Sequence, residues 1–106
     1  MKKIAIFGST GSIGSTLLNI IKKDKKSFNI ILLTANKNYK KLIKQAKIFN
    51  VKNIIITDNT SYLIAIDLLK NTKIKVHKNF NSLNKIFIKN NAHTIKIFKN
   101  FDFSIF

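Results

Sequence analysis

"IAIFGSTGSIGSTLLNII", residues 4–21, begins as an apolar strand, breaks at glycines and resumes with the spacing of a helix. Ile4, Ala5, Ile6 and Phe7 make the strand run, and Ile13, Leu17, Ile20 and Ile21 then recur at intervals of three and four. Between them Gly8, Gly11 and Gly14 form G-x-x-G-x-x-G. In a strand–turn–helix context the first glycine permits a sharp turn and the second lets backbone amides approach a diphosphate. The third lets the helix lie close against the strand. The unpaired N–H groups of the first helical turn, at the positive end of the helix dipole, then attract an anion. Ser9, Thr10 and Ser12 add hydroxyls to the same loop, with helix capping as their alternative use. No G-K-[ST] follows the turn, which excludes a Walker-type phosphate loop.

The same alternation of strand and helix patterns runs through the rest of the chain. Residues 28–35, FNIILLTA, read as a strand buried on both faces. Leu42, Ile43, Ala46 and Phe49 give a helical stripe with Asn38 placed to cap it. Residues 53–57 form a third strand, and the DNTS that follows offers caps for a helix carrying Leu63, Ile66 and Leu69. Residues 73–77 read as a less buried fourth strand, because lysines alternate with apolar residues. A weaker stripe of Leu83, Ile86 and Phe87 predicts a helix within residues 81–91. HTIKIFKN fits helix or strand, and the closing FDFSIF alternates like a fifth strand. Repeated βαβ units imply right-handed crossovers and a parallel sheet. The expected fold is α/β, a Rossmann-type doubly wound parallel sheet incomplete at the C-terminus, with the first strand central.

Length and composition bound the function. The chain has 106 residues, 45% of them hydrophobic, enough for one domain over residues 1–106 and one core. It has no Cys, hence no disulfide framework and no thiolate metal site, and the expected compartment is the cytoplasm. The opening MKKIAIFG resembles the start of a signal peptide, but its apolar run is too short, and no segment approaches a membrane span. The net charge of +16 is carried wholly by lysine, and Lys, Asn, Ile and Phe fill 63 of the 106 positions. All four have codons rich in A and T, so the charge reads as compositional. Arginine, whose planar fork reads guanine, is absent, and the lysines are spread along the chain. No specific nucleic-acid function is expected, although unspecific polyanion binding at low salt is.

The end of the second strand selects the nucleotide. An NAD site places Asp or Glu there, about 20 residues beyond the glycines, to accept hydrogen bonds from the ribose. No acid occurs between Asp24 and Asp58, and Asn36, Lys37 and Asn38 stand at that position instead. A lysine and two amides suit a 2′-phosphate that a carboxylate would repel, which favours NADP. The alternative is that Lys37 is a solvated lysine and Asn38 only a cap.

At GSTGSIG followed by ANKN the sequence resembles the N-terminal NADPH-binding domain of 1-deoxy-D-xylulose 5-phosphate reductoisomerase, a family that makes 2-C-methyl-D-erythritol 4-phosphate for isoprenoids by the non-mevalonate route. The resemblance continues through QAKIFNVKNIIITD, and NFDFSIF is similar to the strand before the family's next cofactor loop. It implies that Gly8, Thr10, Gly11, Ser12 and Ile13 serve the phosphates and adjacent ribose of NADPH. Asn36, Lys37 and Asn38 would receive the 2′-phosphorylated ribose. A common family variant has Gly where this chain has Asn36, a substitution that matters if the site needs a left-handed backbone. The family is homodimeric and uses Mg²⁺ or Mn²⁺ held by Asp and Glu, yet this chain has no Glu. Its four acids, Asp24, Asp58, Asp67 and Asp102, are scattered. His77 and His93 have no carboxylate or nucleophile in view and read as strand-end or surface residues. The expectation is therefore a truncated cofactor-binding part with no catalytic residue, no metal ligand and no turnover by itself. The chain would be the product of a truncated, split or decayed gene, and in the split case a separate chain would carry the catalytic domain. The alternative is a free-standing NADP- or polyanion-binding module.

Overall fold

A computed structural model describes residues 2–90 and the backbone of Ile95–Lys99. Five parallel strands, β1 (Lys2–Phe7), β2 (Phe28–Ala35), β3 (Asn53–Ile56), β4 (Lys75–His77) and β5 (Ile95–Lys99), lie in the order β4-β3-β2-β1-β5. The helices are α1 (Ser12–Lys22), α2 (Tyr39–Ile48), α3 (Asn59–Leu69) and α4 (Leu83–Lys89).

The path of the chain follows from handedness. From β1 to β4 every crossover steps in the same direction, and right-handed connections then keep α1, α2 and α3 on one face of the sheet. The chain next returns past three strands to lay β5 on the free side of β1. That reversal sends α4 to the other face.

Two apolar cores record the arrangement. On one face Ile4, Ile6, Leu33, Ile54 and Ile56 meet Leu18 and Ile21 of α1, Leu42 and Ala46 of α2, and Ala65 and Leu69 of α3. On the other, Ala5, Phe7, Ile31, Leu32 and Ile55 meet Ile86 of α4, with Phe80, Leu83 and Phe87 around it. Covered twice, β2 buries six residues in succession, 30–35. Each leucine or isoleucine so buried contributes about 1.5–3 kcal/mol. The pairing of β1 with β2 slips between Ile4 and Ala5, so that Ile31 is an extra residue. Ile31 and Leu32 consequently share one core.

The doubly wound parallel sheet matches the expected fold class, with two refinements of order. β1 is interior, flanked by β2 and β5, and β4 lies outside β3 at the edge. The ambiguous HTIKIFKN contains a strand, β5, and the tail FDFSIF lies outside the described residues.

Two helical stripes turn differently from their apolar pattern. In α1 the inward residues are Gly14, Leu18 and Ile21, whereas Ile13 and Ile20 are exposed. Gly14 fixes this rotation, because the helix comes closest to the strand where the side chain is missing. In α3 the inward residues are Ser61, Ala65 and Leu69, and Leu63 and Ile66 point outward. This helix is apolar on nearly every side, so periodicity alone gave no direction. Its cap does: Asp58 Oδ2 accepts from both the Ser61 amide, at 3.0 Å, and the Ser61 hydroxyl, at 2.8 Å.

Candidate cofactor site

The reversal of strand order falls between β1 and β5, and in open parallel sheets ligands bind beyond the carboxyl ends of the strands at such a point. The glycine loop leaves β1 there. Gly8 has φ 77°, a left-handed conformation that turns the chain away from the strand at no steric cost. Its N–H donates to Thr34 Oγ1 at 2.9 Å. Ser9 is fully buried. Its N–H donates to the Thr34 carbonyl at 3.0 Å and its hydroxyl to Gln45 Oε1 at 2.8 Å, while Gln45 Nε2 donates back to the Ser9 carbonyl at 3.0 Å. Thr34 and Gln45 thus fasten the loop from below. Leaving such buried groups unpaired costs about 1–3 kcal/mol each.

Above these anchors the loop is open. Gly11 begins α1 with φ −72° and ψ 174°, an ordinary extended conformation, and no side chain caps the helix. Among the described residues the amides of Ser12, Ile13 and Gly14 donate to no protein acceptor, and Ser15 is the first to bond back, to the Gly11 carbonyl at 2.9 Å. Three donors therefore converge where the positive end of the helix dipole lies. Capping, the alternative use of the loop hydroxyls, is not what they do. Nor does the Ser9 hydroxyl face a ligand, because it is spent on Gln45. Ser12 and Ile13 are exposed at the mouth.

Asn36, Lys37 and Asn38 follow β2 and are all exposed beside the loop. Asn38 is indeed a cap, its Oδ1 accepting from the Lys41 amide at 3.2 Å. Asn36 Oδ1 accepts from the Thr57 hydroxyl at 3.0 Å, and its carbonyl accepts from the Asp58 amide at 3.1 Å. Asn50, not Asn36, is the non-glycine residue with positive φ among those described. Asparagine in place of glycine at position 36 therefore incurs no left-handed strain here.

Strand β3 brings an acid nearby that a reading of β2 alone misses. The Asp58 carboxyl titrates below its ordinary 3.8, first through the Ser61 hydroxyl and then the Ser61 amide; partial burial opposes the shift and the Lys37 charge adds to it. The carboxylate is committed to capping α3, so it does not take the ribose position. A carboxyl depressed by folding stabilises the chain above its unfolded pKa and loses that contribution as pH falls through the folded value. The stability difference between this chain and Asp58→Ala is expected to be full at neutral pH and to close below about pH 4, as measured by urea unfolding at stepped pH.

Two further residues escaped the sequence reading. Lys41 Nζ donates to the Thr10 carbonyl at 3.0 Å, and Gln45 holds Ser9 as described. They stand four apart on α2, a spacing that sets both on one helical face. That signal was present, but nothing in sequence says which neighbour the face meets.

His77 lies at the end of β4 with Nε2 donating to Asn53 Oδ1 at 3.1 Å, and burial together with Lys75 holds its pKa below the usual 6.5. It ends its strand, as expected; His93 lies outside the described residues. Among the described residues no three His, Asp or Glu side chains gather to hold a metal ion. The open amides and basic turn fit a phosphorylated dinucleotide. No helix among the described residues is long and apolar enough to cross a membrane.

A sequence profile described as 1-deoxy-D-xylulose 5-phosphate reductoisomerase matches residues 4–97. Relatives bearing that name include the protein of Pelagibacter ubique strain HTCC1062, 72% identical over 91 residues, which are 86% of this chain and 24% of the relative. That of Clostridium botulinum strain 657 (Type Ba4) is 39% identical over 74 residues, 70% of this chain and 19% of the relative. Among solved structures, the reductoisomerase from Zymomonas mobilis in complex with NADPH superposes with a TM-score of 0.72 at 29% identity, over 81% of this chain and 23% of that one. Another, in complex with NADPH, fosmidomycin and magnesium, gives 0.73 at 25% identity over 82% and 22%. The chain thus spans about a quarter of the length of the relatives it matches. Its glycine loop, its strand order and these likenesses agree, and the chain belongs to the 1-deoxy-D-xylulose 5-phosphate reductoisomerase family.

Proposed function

We propose that residues 1–106 are the NADPH-binding domain of a reductoisomerase. The observation that supports this most is the pairing of two features at one crevice: three unpaired amides at the start of α1 and the acid-free turn 36–38 at the end of β2. Thr10, Gly11, Ser12 and Ile13 receive the diphosphate and adjacent ribose, with Gly8 shaping the loop. Asn36, Lys37 and Asn38 receive the 2′-phosphorylated ribose. In the complete activity, which converts 1-deoxy-D-xylulose 5-phosphate to 2-C-methyl-D-erythritol 4-phosphate, a bound NADPH would supply the hydride and a divalent metal would supply Lewis-acid assistance. This portion seats the hydride donor. The metal ligands and the catalytic groups come from beyond it, from further sequence or a second chain, and the expected assembly is a cytoplasmic homodimer.

Titration of the ¹⁵N-labelled chain with NADPH tests the reading. Amide signals of residues 8–14 and 36–38 should shift at moderate salt, and NADH should bind more weakly than NADPH. Equal response to both nucleotides, or shifts spread over all lysine-rich segments and abolished by salt, identifies a polyanion binder instead.

A further inference from the structure

We propose that Lys41 is a second cation of the nucleotide site, closing over the 2′-phosphate from the side opposite Lys37. The inference rests on the NADPH reading above and adds to it a residue that the sequence pattern did not single out.

Lys41 is tied to both halves of the crevice. Its backbone N–H donates to Asn38 Oδ1 at 3.2 Å, which fixes the first turn of α2 against the 36–38 turn. Its side chain reaches the other way, and Nζ donates to the Thr10 carbonyl at 3.0 Å. The ammonium therefore spans the gap between the end of β2 and the glycine loop. It lies on the Thr10 side of that loop, ahead of the Ser12–Gly14 amides that face the diphosphate. The space between Thr10 and the 36–38 turn is where the adenosine ribose belongs when the diphosphate sits on α1.

The charge balance points the same way. Among the described residues the ion pair formed is that of Lys70 with Asp67 at 3.5 Å, so no carboxylate neutralises Lys41. Asp58, the acid nearest the turn, is engaged by Ser61. An ammonium has three donors, and the Thr10 carbonyl uses one of them. A phosphate monoester carries about −1.5 to −2 at neutral pH, more than one lysine balances. Lys37 and Lys41 together match it. Gln45, one turn further along α2, cannot do this, because both ends of its amide are held by Ser9.

Two ligand pairs that differ by a single phosphate provide the test: NADPH against NADH, and adenosine 2′,5′-bisphosphate against AMP. Lys41 is exposed, so Lys41→Ala leaves the fold intact, which a thermal melt verifies. Expected for Lys41→Ala is a loss of about tenfold in affinity for NADPH and for the bisphosphate, with NADH and AMP changed less than about twofold, and recovery in Lys41→Arg. Equal loss for the members of a pair places Lys41 at the diphosphate and overturns the proposal, as does an unchanged NADPH affinity. If the unsubstituted chain binds none of the four ligands, the NADPH reading falls, and this inference with it.

Discussion

Gly14→Ala destabilises the chain by about 2 kcal/mol or more and abolishes binding of NADPH at the glycine loop. A Cβ built at position 14 stands 2.6 Å from the Ser9 Cα, 2.7 Å from the Gly8 carbonyl oxygen and 2.9 Å from the Ser9 carbonyl carbon. All three are backbone atoms of the loop itself, so no side chain can swing aside to relieve the overlap. Two effects compete. Alanine in a helix interior is favoured over glycine by about 1 kcal/mol, whereas overpacking of this kind costs about 3 kcal/mol. Overpacking wins, and relief requires α1 to slide away from β1. The slide also carries the Ser12–Gly14 amides away from the loop that positions them, so binding falls further than stability does. Gly11→Ala is the control for folding, since its backbone at φ −72° and ψ 174° suits any residue. Urea unfolding of both variants, followed by NADPH titration, checks the prediction; a Gly14→Ala chain as stable as the original contradicts it.

Gly14 also shows what sequence can and cannot convey. The run from Lys2 to Gly14 announces a strand, a turn and a close-packed helix through residue types alone, because few other residues tolerate those backbone positions. The apolar run of β2, the capping pair Asp58 and Ser61, and Asn38 at the start of α2 are equally legible, each being a local device. The rotations of α1 and α3 are not. Apolar residues surround most of α3 and span a wide arc of α1, and what selects the buried face within them is a contact with a partner distant in sequence: Gly14 on the loop, Ser61 and Ala65 in α3. The support of the site is hidden for the same reason. Thr34 and Gln45 hold the glycine loop from 26 and 36 residues away, and no spacing rule reaches that far. No acid stands in β2 or in the turn after it, but Asp58 arrives beside that turn from the neighbouring strand. Pairing of β2 with β3 brings it there, and pairing is a property of the sheet.

Lys37→Glu separates a cofactor site from a merely basic surface, and its expected effect is a loss of about thirtyfold in affinity for NADPH with little change for NADH. Lys37 is exposed, and among the described residues its side chain makes no hydrogen bond or ion pair; its carbonyl, which accepts from the Tyr39 amide at 2.8 Å, is kept in the variant, so the substitution removes no support from the fold. Opposite unit charges about 4 Å apart near a protein surface interact by about 4 kcal/mol before screening. Salt and solvation reduce this, and reversal of sign at one lysine is expected to leave about 2 kcal/mol, which is about thirtyfold. For a merely polyanion-binding surface on a chain of net charge +16 the same change removes only two charges of many and alters affinity slightly for every nucleotide alike. A second readout comes from Asp58, whose carboxyl is held down in part by Lys37. In Lys37→Glu that contribution changes sign, so the Asp58 pKa rises toward its ordinary value while the Ser61 cap remains. Isothermal titration with NADPH and NADH measures the first effect, and NMR titration of the Asp58 side-chain carbon between acid and neutral pH measures the second. A rise at Asp58 with NADPH affinity unchanged shows that Lys37 faces the α3 cap and not the nucleotide, and it removes the 2′-phosphate from the turn.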